Sequence, residues 1–211
     1  MNIVYFTAVE PSTTKERKIY SDLCRRFHTT SIRGNKYIYV MYVNDCNDIL
    51  TTAMKNRINK EMIRDFKSLT EDLKSRGIYP GFHFMDNETS TALNLTMITM
   101  NTKYQLVPPS NHRANNEERA IKTFKNHFIG ELCSVDKYFH LQLWDRLLQQ
   151  ATTSLNLIRQ SITIPHISAY THIFVEFDFN RTILAPPGTR RIIHNRPNDR
   201  ASWVTNGEYG W

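Results

Sequence analysis

The run Tyr37-Ile38-Tyr39-Val40-Met41-Tyr42-Val43 constrains this chain more than any other stretch. Seven successive apolar or aromatic residues, several of them β-branched or ringed, predict a buried strand. The run is far shorter than the roughly 20 residues needed to cross a bilayer. Asn35 and Lys36 lead into it, Asp45 to Asp48 read as a turn, and Ile49 to Met54 return as a further strand. A hairpin with an antiparallel edge follows from so short a connection. Upstream, Ile19 to Leu23 offer one more short strand, which carries Asp22 among residues that otherwise suit a core.

Beyond the hairpin the periodicity changes. Ile58, Met62, Ile63, Phe66, Leu69 and Leu73 recur at helical spacing, and Gly77 and Pro80 end that helix. Phe82 to Met85 form a fourth strand. Ser90 is placed to cap a second helix bearing Leu93, Met97 and Ile98. Tyr104 to Val107 form a fifth strand, stopped by Pro108-Pro109. A polar loop over 110–115 then precedes a third helix over 116–131, and a fourth runs over 139–160 through Trp144 and its flanking leucines. The order predicts an α/β fold with a mixed five-stranded sheet flanked by helices on both faces. The expected divisions are an irregular lead at 1–17, a core at 18–162 and an extension at 163–211. Pro165, Pro186, Pro187, Gly188 and Pro197 break up the extension, leaving strand-like pieces at Ile173 to Phe179 and Arg191 to His194.

A hydrophobic content of 40% supports a packed core. Cys24, Cys46 and Cys133 lie far apart without a CxxC pair, as expected of buried thiols in a reducing compartment. The start at Met1-Asn2-Ile3-Val4-Tyr5-Phe6 has no basic leader, so neither secretion nor membrane insertion is expected. The 27 Lys and Arg against 20 Asp and Glu give a formal charge of +7. A basic balance favours phosphate-backbone partners, because neutralising phosphates releases condensed counterions. The cations cluster: Arg113, Arg119, Lys122 and Lys125 surround the third helix, and Arg181, Arg190, Arg191, Arg196 and Arg200 crowd the extension.

Three carboxylates occupy positions where chemistry would want them. Asp22 lies in the first strand, Asp86 follows the fourth, and Glu118 falls in the first turn of the third helix. Strand ends and helix starts are where an α/β sheet presents a site. Phosphodiester exchange needs an activated hydroxyl and stabilised charge on both reacting oxygens, a task suited to two Mg²⁺ ions about 4 Å apart on hard oxygen ligands. The same residues also admit an ordinary account. Asp after a strand is a common turn residue, and Glu in a first helical turn complements the helix dipole. Spacing does not choose between the two.

The surrounding motifs carry a resemblance. Tyr20-Ser21-Asp22-Leu23 followed by Arg33-Gly34-Asn35-Lys36-Tyr37-Ile38, then Met85-Asp86-Asn87-Glu88, resemble the integrase core of Ty1/copia-like retroelements. So do Gln105-Leu106-Val107-Pro108-Pro109, His112-Arg113 and Asn115 through Lys125. Further matching words are Leu143-Trp144-Asp145-Arg146-Leu147-Leu148, Phe177-Asp178-Phe179-Asn180-Arg181-Thr182 and Leu184-Ala185-Pro186-Pro187-Gly188, and the likeness reaches Gly207 to Trp211. It covers nearly all of the chain from about residue 19.

The resemblance implies an RNase H-like fold, with Asp22, Asp86 and Glu118 as catalytic, metal-binding acids holding two Mg²⁺ or Mn²⁺ ions. It implies end processing and strand transfer on DNA. His112, Arg113, Arg119, Lys122 and Lys125 are then expected to contact the nucleic acid. It further implies a homo-oligomer cut from a polyprotein with reverse transcriptase, acting in the nucleus or a cytoplasmic retroelement particle. The family's upstream zinc-binding module is missing, its sequence normally runs past the position of Trp211, and Asn116 and Glu117 stand where small residues are usual. These departures are what a fragment or decayed copy would show. A non-catalytic nucleic-acid-binding remnant and a nuclease without strand transfer are the alternative functions.

The other residues have plainer readings. Asp45 and Asp48 are expected to serve the hairpin turn. Glu88 either assists Asp86 or opens the next helix. The histidines and cysteines show no zinc-ligand spacing, and Trp144 is expected in the core.

Overall fold

The buried strand expected at Tyr37–Val43 forms as β2, and six of its seven residues are buried. The computed structural model describes residues 17–86, 90–107, 116–182, 184–196, 201 and 203–211. β2 lies between β1 (Arg17–Leu23) and β3 (Asp48–Met54), antiparallel to both, while β4 (Pro80–Asp86) and β5 (Lys103–Val107) extend the sheet in parallel from the other edge of β1. The strand order is β3-β2-β1-β4-β5.

Each face of the sheet has its own core. Ile19 and Leu23 of β1 and Tyr39, Met41 and Val43 of β2 point towards α1 (Asn59–Ser75) and α2 (Thr91–Thr99), which contribute Phe66, Leu73, Leu93 and Met97. On the opposite face Ile38, Val40 and Tyr42 meet α3 (Asn116–Ser134) and α4 (Trp144–Ile158) through Phe124, Phe128, Trp144 and Leu148. The alternation of a strand sends successive side chains to opposite faces, so a strand apolar at every position demands both layers.

Local signals account for most boundaries. Ser90 caps α2 as expected, its hydroxyl accepting from the Leu93 N–H. Gly77 takes a φ of 76° just beyond α1, a left-handed position that a glycine fills without Cβ strain. Trp144 is fully buried at the start of α4, where its indole N–H donates to the Thr29 carbonyl at 2.9 Å and its ring stacks on Phe27 at 4.4 Å.

Two expectations are corrected. Ile173 to Phe179 is no strand: α5 (Ala169–Ile173) occupies its start, capped by the Ser168 hydroxyl, and the chain after Phe174 has no regular structure until a turn that begins at Phe179. Ring packing of Tyr170 on Phe174 and Phe177 outweighs the strand propensity of the stretch. Cys133 is exposed near the end of α3, whereas Cys24 and Cys46 are buried. Within the extension, β6 (Arg191–His194) pairs antiparallel with β7 (Gly207–Gly210) in a two-stranded sheet of its own.

A polar chain crosses the α1/α2 side of the core. The Tyr39 hydroxyl donates to Ser21 Oγ at 2.7 Å, and Ser21 Oγ lies 2.7 Å from His83 Nε2. Because Ser21 already accepts from Tyr39, its own proton is available for Nε2, which leaves the other ring proton facing Met97 Sδ at 3.2 Å. His83 is fully buried and stacks on Phe66 at 4.9 Å. Burial lowers its pKa to about 3. The folded state therefore keeps His83 neutral while the unfolded chain takes up a proton below about pH 6.5. The stability this residue lends is fully present above pH 6.5 and is lost as pH falls towards 3. Urea unfolding should show wild type losing up to about 1.4 kcal/mol per pH unit more than His83→Gln on acidification below pH 6.5.

Candidate active site

The parallel register of β1 and β4 builds the site. Tyr20 pairs with Phe84 and Ser21 with Met85, so Asp22 and Asp86 follow as the next residues on adjacent strands at the same end of the sheet. The Tyr20 and Phe84 rings stack at 4.7 Å on the α3 side. Strand alternation assigns the positions two residues further on to that same side. The Asp86 side chain itself lies outside the described residues. Asp22 is half-buried, and its Oδ1 accepts from the Leu23 N–H at 2.6 Å.

Glu118 lies in the first turn of α3 (Asn116–Ser134). α3 lies across β1 and β2, burying Ala120, Ile121, Phe124 and Phe128 while Glu118, Arg119 and Lys122 stay exposed in its first turns. Helical spacing puts Glu118, Lys122 and Lys125 along one side of α3. Two of the predicted basic residues act electrostatically on the sheet face that carries Asp22. Burial raises the Cys24 thiol to about 11, with Lys125 lowering it and Asp22 raising it further. The Tyr42 hydroxyl is likewise raised by burial and lowered by Arg159 and Arg119. Lys125 and Asp22 thus both act on the Cys24 thiol, while Arg119 acts on Tyr42 of the same face. His112, Arg113 and Glu88 lie outside the described residues. Among the described side chains no group of three His, Cys, Asp or Glu converges.

Asp48 is not the turn residue that the sequence indicated. Asn47 makes the turn with a φ of 57°, and Asp48 opens β3 opposite Val43, fully buried. That places it at the end of the sheet away from Asp22, which pairs with Val40. Neither carboxylate oxygen has a hydrogen-bond partner among the described residues. Burial holds the carboxyl well above the usual range, Arg159 pulling the other way. The Arg159 guanidinium instead donates to the Asn47 carbonyl at 2.9 Å and to the Asn47 side chain. The composition around Asp45 and Asp48 suits a turn, and only the packing of α4 reveals the burial. Asp45 stays in the turn as expected, its carbonyl accepting from Thr163.

No protein-family model matches this sequence, and no curated protein matches it. Solved structures do match. The catalytic core domain of BIV integrase is similar over 74% of this chain and 92% of its own, with a TM-score of 0.55 and 14% identity. The HTLV-2 integrase catalytic core, in complex with magnesium as a dimeric form, matches over 76% and 97% at a TM-score of 0.56 and 13% identity. A simian T-cell lymphotropic virus intasome chain matches over 92% and 68% at 0.58 and 11%. This chain has the RNase H-like fold of integrase catalytic cores. At such identities the likeness concerns the fold, and the mixed five-stranded sheet with helices on both faces agrees with the sequence expectation.

The orphaned carboxyl at Asp48 makes a prediction. A folded pKa above the unfolded one contributes stability that is present below the unfolded pKa and lost as pH rises through the folded value. Asp48→Asn should remove that loss. Thermal unfolding should show the variant gaining on wild type as pH rises from 4 to 8, by about 1–3 kcal/mol at the alkaline end.

Proposed function

We propose that this chain is the catalytic core of a retroelement integrase of the Ty1/copia-like class, which processes element DNA ends and transfers them into target DNA. The observation that supports the reading is the β1–β4 register, in which Asp22 and Asp86 follow paired residues at the same end of adjacent strands. The magnesium complex of the HTLV-2 core supports the metal dependence, and its dimeric form supports a homo-oligomer.

Asp22, Asp86 and Glu118 would hold two Mg²⁺ or Mn²⁺ ions. The donor set fits, because hard cations take carboxylate oxygens and rigid strand ends hold two of the three ligands. Bound there, such ions supply charge stabilisation to the attacking and leaving oxygens of phosphodiester exchange. The Leu23 N–H holds Asp22 Oδ1 and so orients that carboxylate. Arg119, Lys122 and Lys125 take DNA phosphates along the exposed side of α3, joined by His112 and Arg113 from the preceding segment. Phosphate contacts of this kind set the register of the duplex without reading its sequence. A parent polyprotein with reverse transcriptase, and work in the nucleus or a retroelement particle, complete the reading.

The test is resolution of a branched DNA mimicking a strand-transfer product, in Mn²⁺. Wild type should release the joined and excised strands. Asp22→Asn and Glu118→Gln should each lose on the order of a thousandfold in rate, as expected when metal coordination worth several kcal/mol is removed. Equal rates for wild type and both variants would refute the assignment. DNA binding by wild type without any turnover would identify the chain as a non-catalytic remnant.

A further inference from the structure

The second cation-rich region of the sequence forms a surface that the proposed catalytic reading does not use. A cleft of about 650 Å³ is lined by α4, α5, residues of 177–182 and 184–191, and Trp211. That volume is in the range of sites that take a small ligand, about 300–1,000 Å³. Arg146 of α4 and Arg191 of β6 supply its charge, and no carboxylate lines it among the described residues. Gln149, Gln150 and three threonines add neutral donors and acceptors, and Tyr170, Phe177 and Trp211 add ring surface.

The cleft is held in place by its own backbone. Gly188 takes a φ of 69° and leaves no room for a side chain, since a Cβ there would meet Val135 Cγ1 at 2.7 Å. This close approach seats the Pro186-Pro187-Gly188 turn on the end of α3, where the Asp136 N–H donates to the Gly188 carbonyl at 3.2 Å. Trp211 is fixed edge-on against Phe139 at 6.4 Å and His140 at 5.9 Å, yet 44% of it remains exposed.

A row of rings and cations continues from the cleft across the surface. The Arg190 guanidinium lies 3.6 Å from the Tyr209 ring centroid and 5.6 Å from that of Tyr138, and Lys137 lies 4.9 Å from the Tyr138 ring. Tyr138 and Tyr209 are 57% and 63% exposed. Exposed rings interleaved with cations are poorly matched to duplex DNA, whose bases are already stacked and which offers mainly phosphates to such a surface. They match a strand whose bases are free, since each base has a face to stack and each step carries a phosphate.

We propose that this cleft and the adjoining ring row bind single-stranded nucleic acid, with phosphates against Arg146 and Arg191 and a base stacked on Trp211. The site is separate from Asp22, Asp86 and Glu118 and needs no metal ion.

The test uses a fluorescein-labelled oligothymidylate of about 15 nucleotides, a length in the range such surfaces occupy, in EDTA, with anisotropy and intrinsic tryptophan emission as readouts. Wild type should bind the oligomer with quenching, and a duplex of equal length should compete poorly. Arg146→Gln with Arg191→Gln should weaken binding about tenfold and lower the slope of log K against log salt by about 0.7 per arginine removed. Trp211→Leu should abolish most of the quench. All three substituted side chains are exposed, and circular dichroism of each variant checks that the fold is retained. Unchanged affinity and salt slope in the double arginine variant would overturn the proposal, as would a duplex competing as well as the single strand. Because no metal-dependent step enters the assay, its failure leaves the strand-transfer reading standing, and an inactive Mn²⁺ reaction leaves this site standing.

Discussion

A parallel strand pair inside a sheet requires the chain to leave one edge, cross a face and return, and in this protein the β1–β4 pairing imposes that requirement. The hairpin of β2 and β3 and the helix α1 fill the crossover between the two strands. β1 ends up central, with its neighbours antiparallel on one side and parallel on the other. Both faces of the sheet must then be covered, and the chain meets this with α1 and α2 on one side and α3 and α4 on the other. The same pairing brings Asp22 and Asp86 to adjacent strand ends, so the architecture and the candidate site share one cause.

The two faces have different chemistry. The α1/α2 side is crossed by a polar chain from Tyr39 through Ser21 to His83, in which each hydroxyl and ring nitrogen has a partner. Such a network is stable only when satisfied, because an unpaired buried group costs its desolvation. The α3/α4 side carries Asp22, which acts together with Lys125 of α3 on the Cys24 thiol. Asp48, opposite Val43 at the end of the sheet away from Asp22, is a buried carboxyl whose oxygens have no hydrogen-bond partner among the described residues and which favours its protonated form. Its position away from Asp22 separates a stability effect from the proposed chemistry.

The extension beyond the core does more than trail from it. Gly188 locks its proline turn to the end of α3, Tyr170 packs on Phe174 and Phe177, and Trp211 returns to Phe139 and His140. These contacts order an arginine-bearing segment against α4 and create a cleft whose lining comes from residues as far apart as Arg146 and Trp211.

The sequence by itself determined the layered α/β plan. An unbroken seven-residue run of ringed and β-branched residues reads as a buried strand, helical periodicity over Ile58 to Leu73 buries one face, and Ser90, Gly77 and Pro80 mark boundaries by local backbone chemistry. Asp22, Asp86 and Glu118 were legible as candidates because strand ends and first helical turns can be read from neighbours in the chain. Tertiary structure decided what depends on distant partners. Asp48 looked like a turn residue because its neighbours are turn formers, but its burial beside Asn156 and Arg159 is set by packing across more than 100 positions of sequence. Residues 173–179 carried a strand signal that ring packing overrode. The adjacency of Asp22 and Asp86 likewise came only from the β1–β4 register, because strand propensity says that a strand forms and not which strand lies beside it.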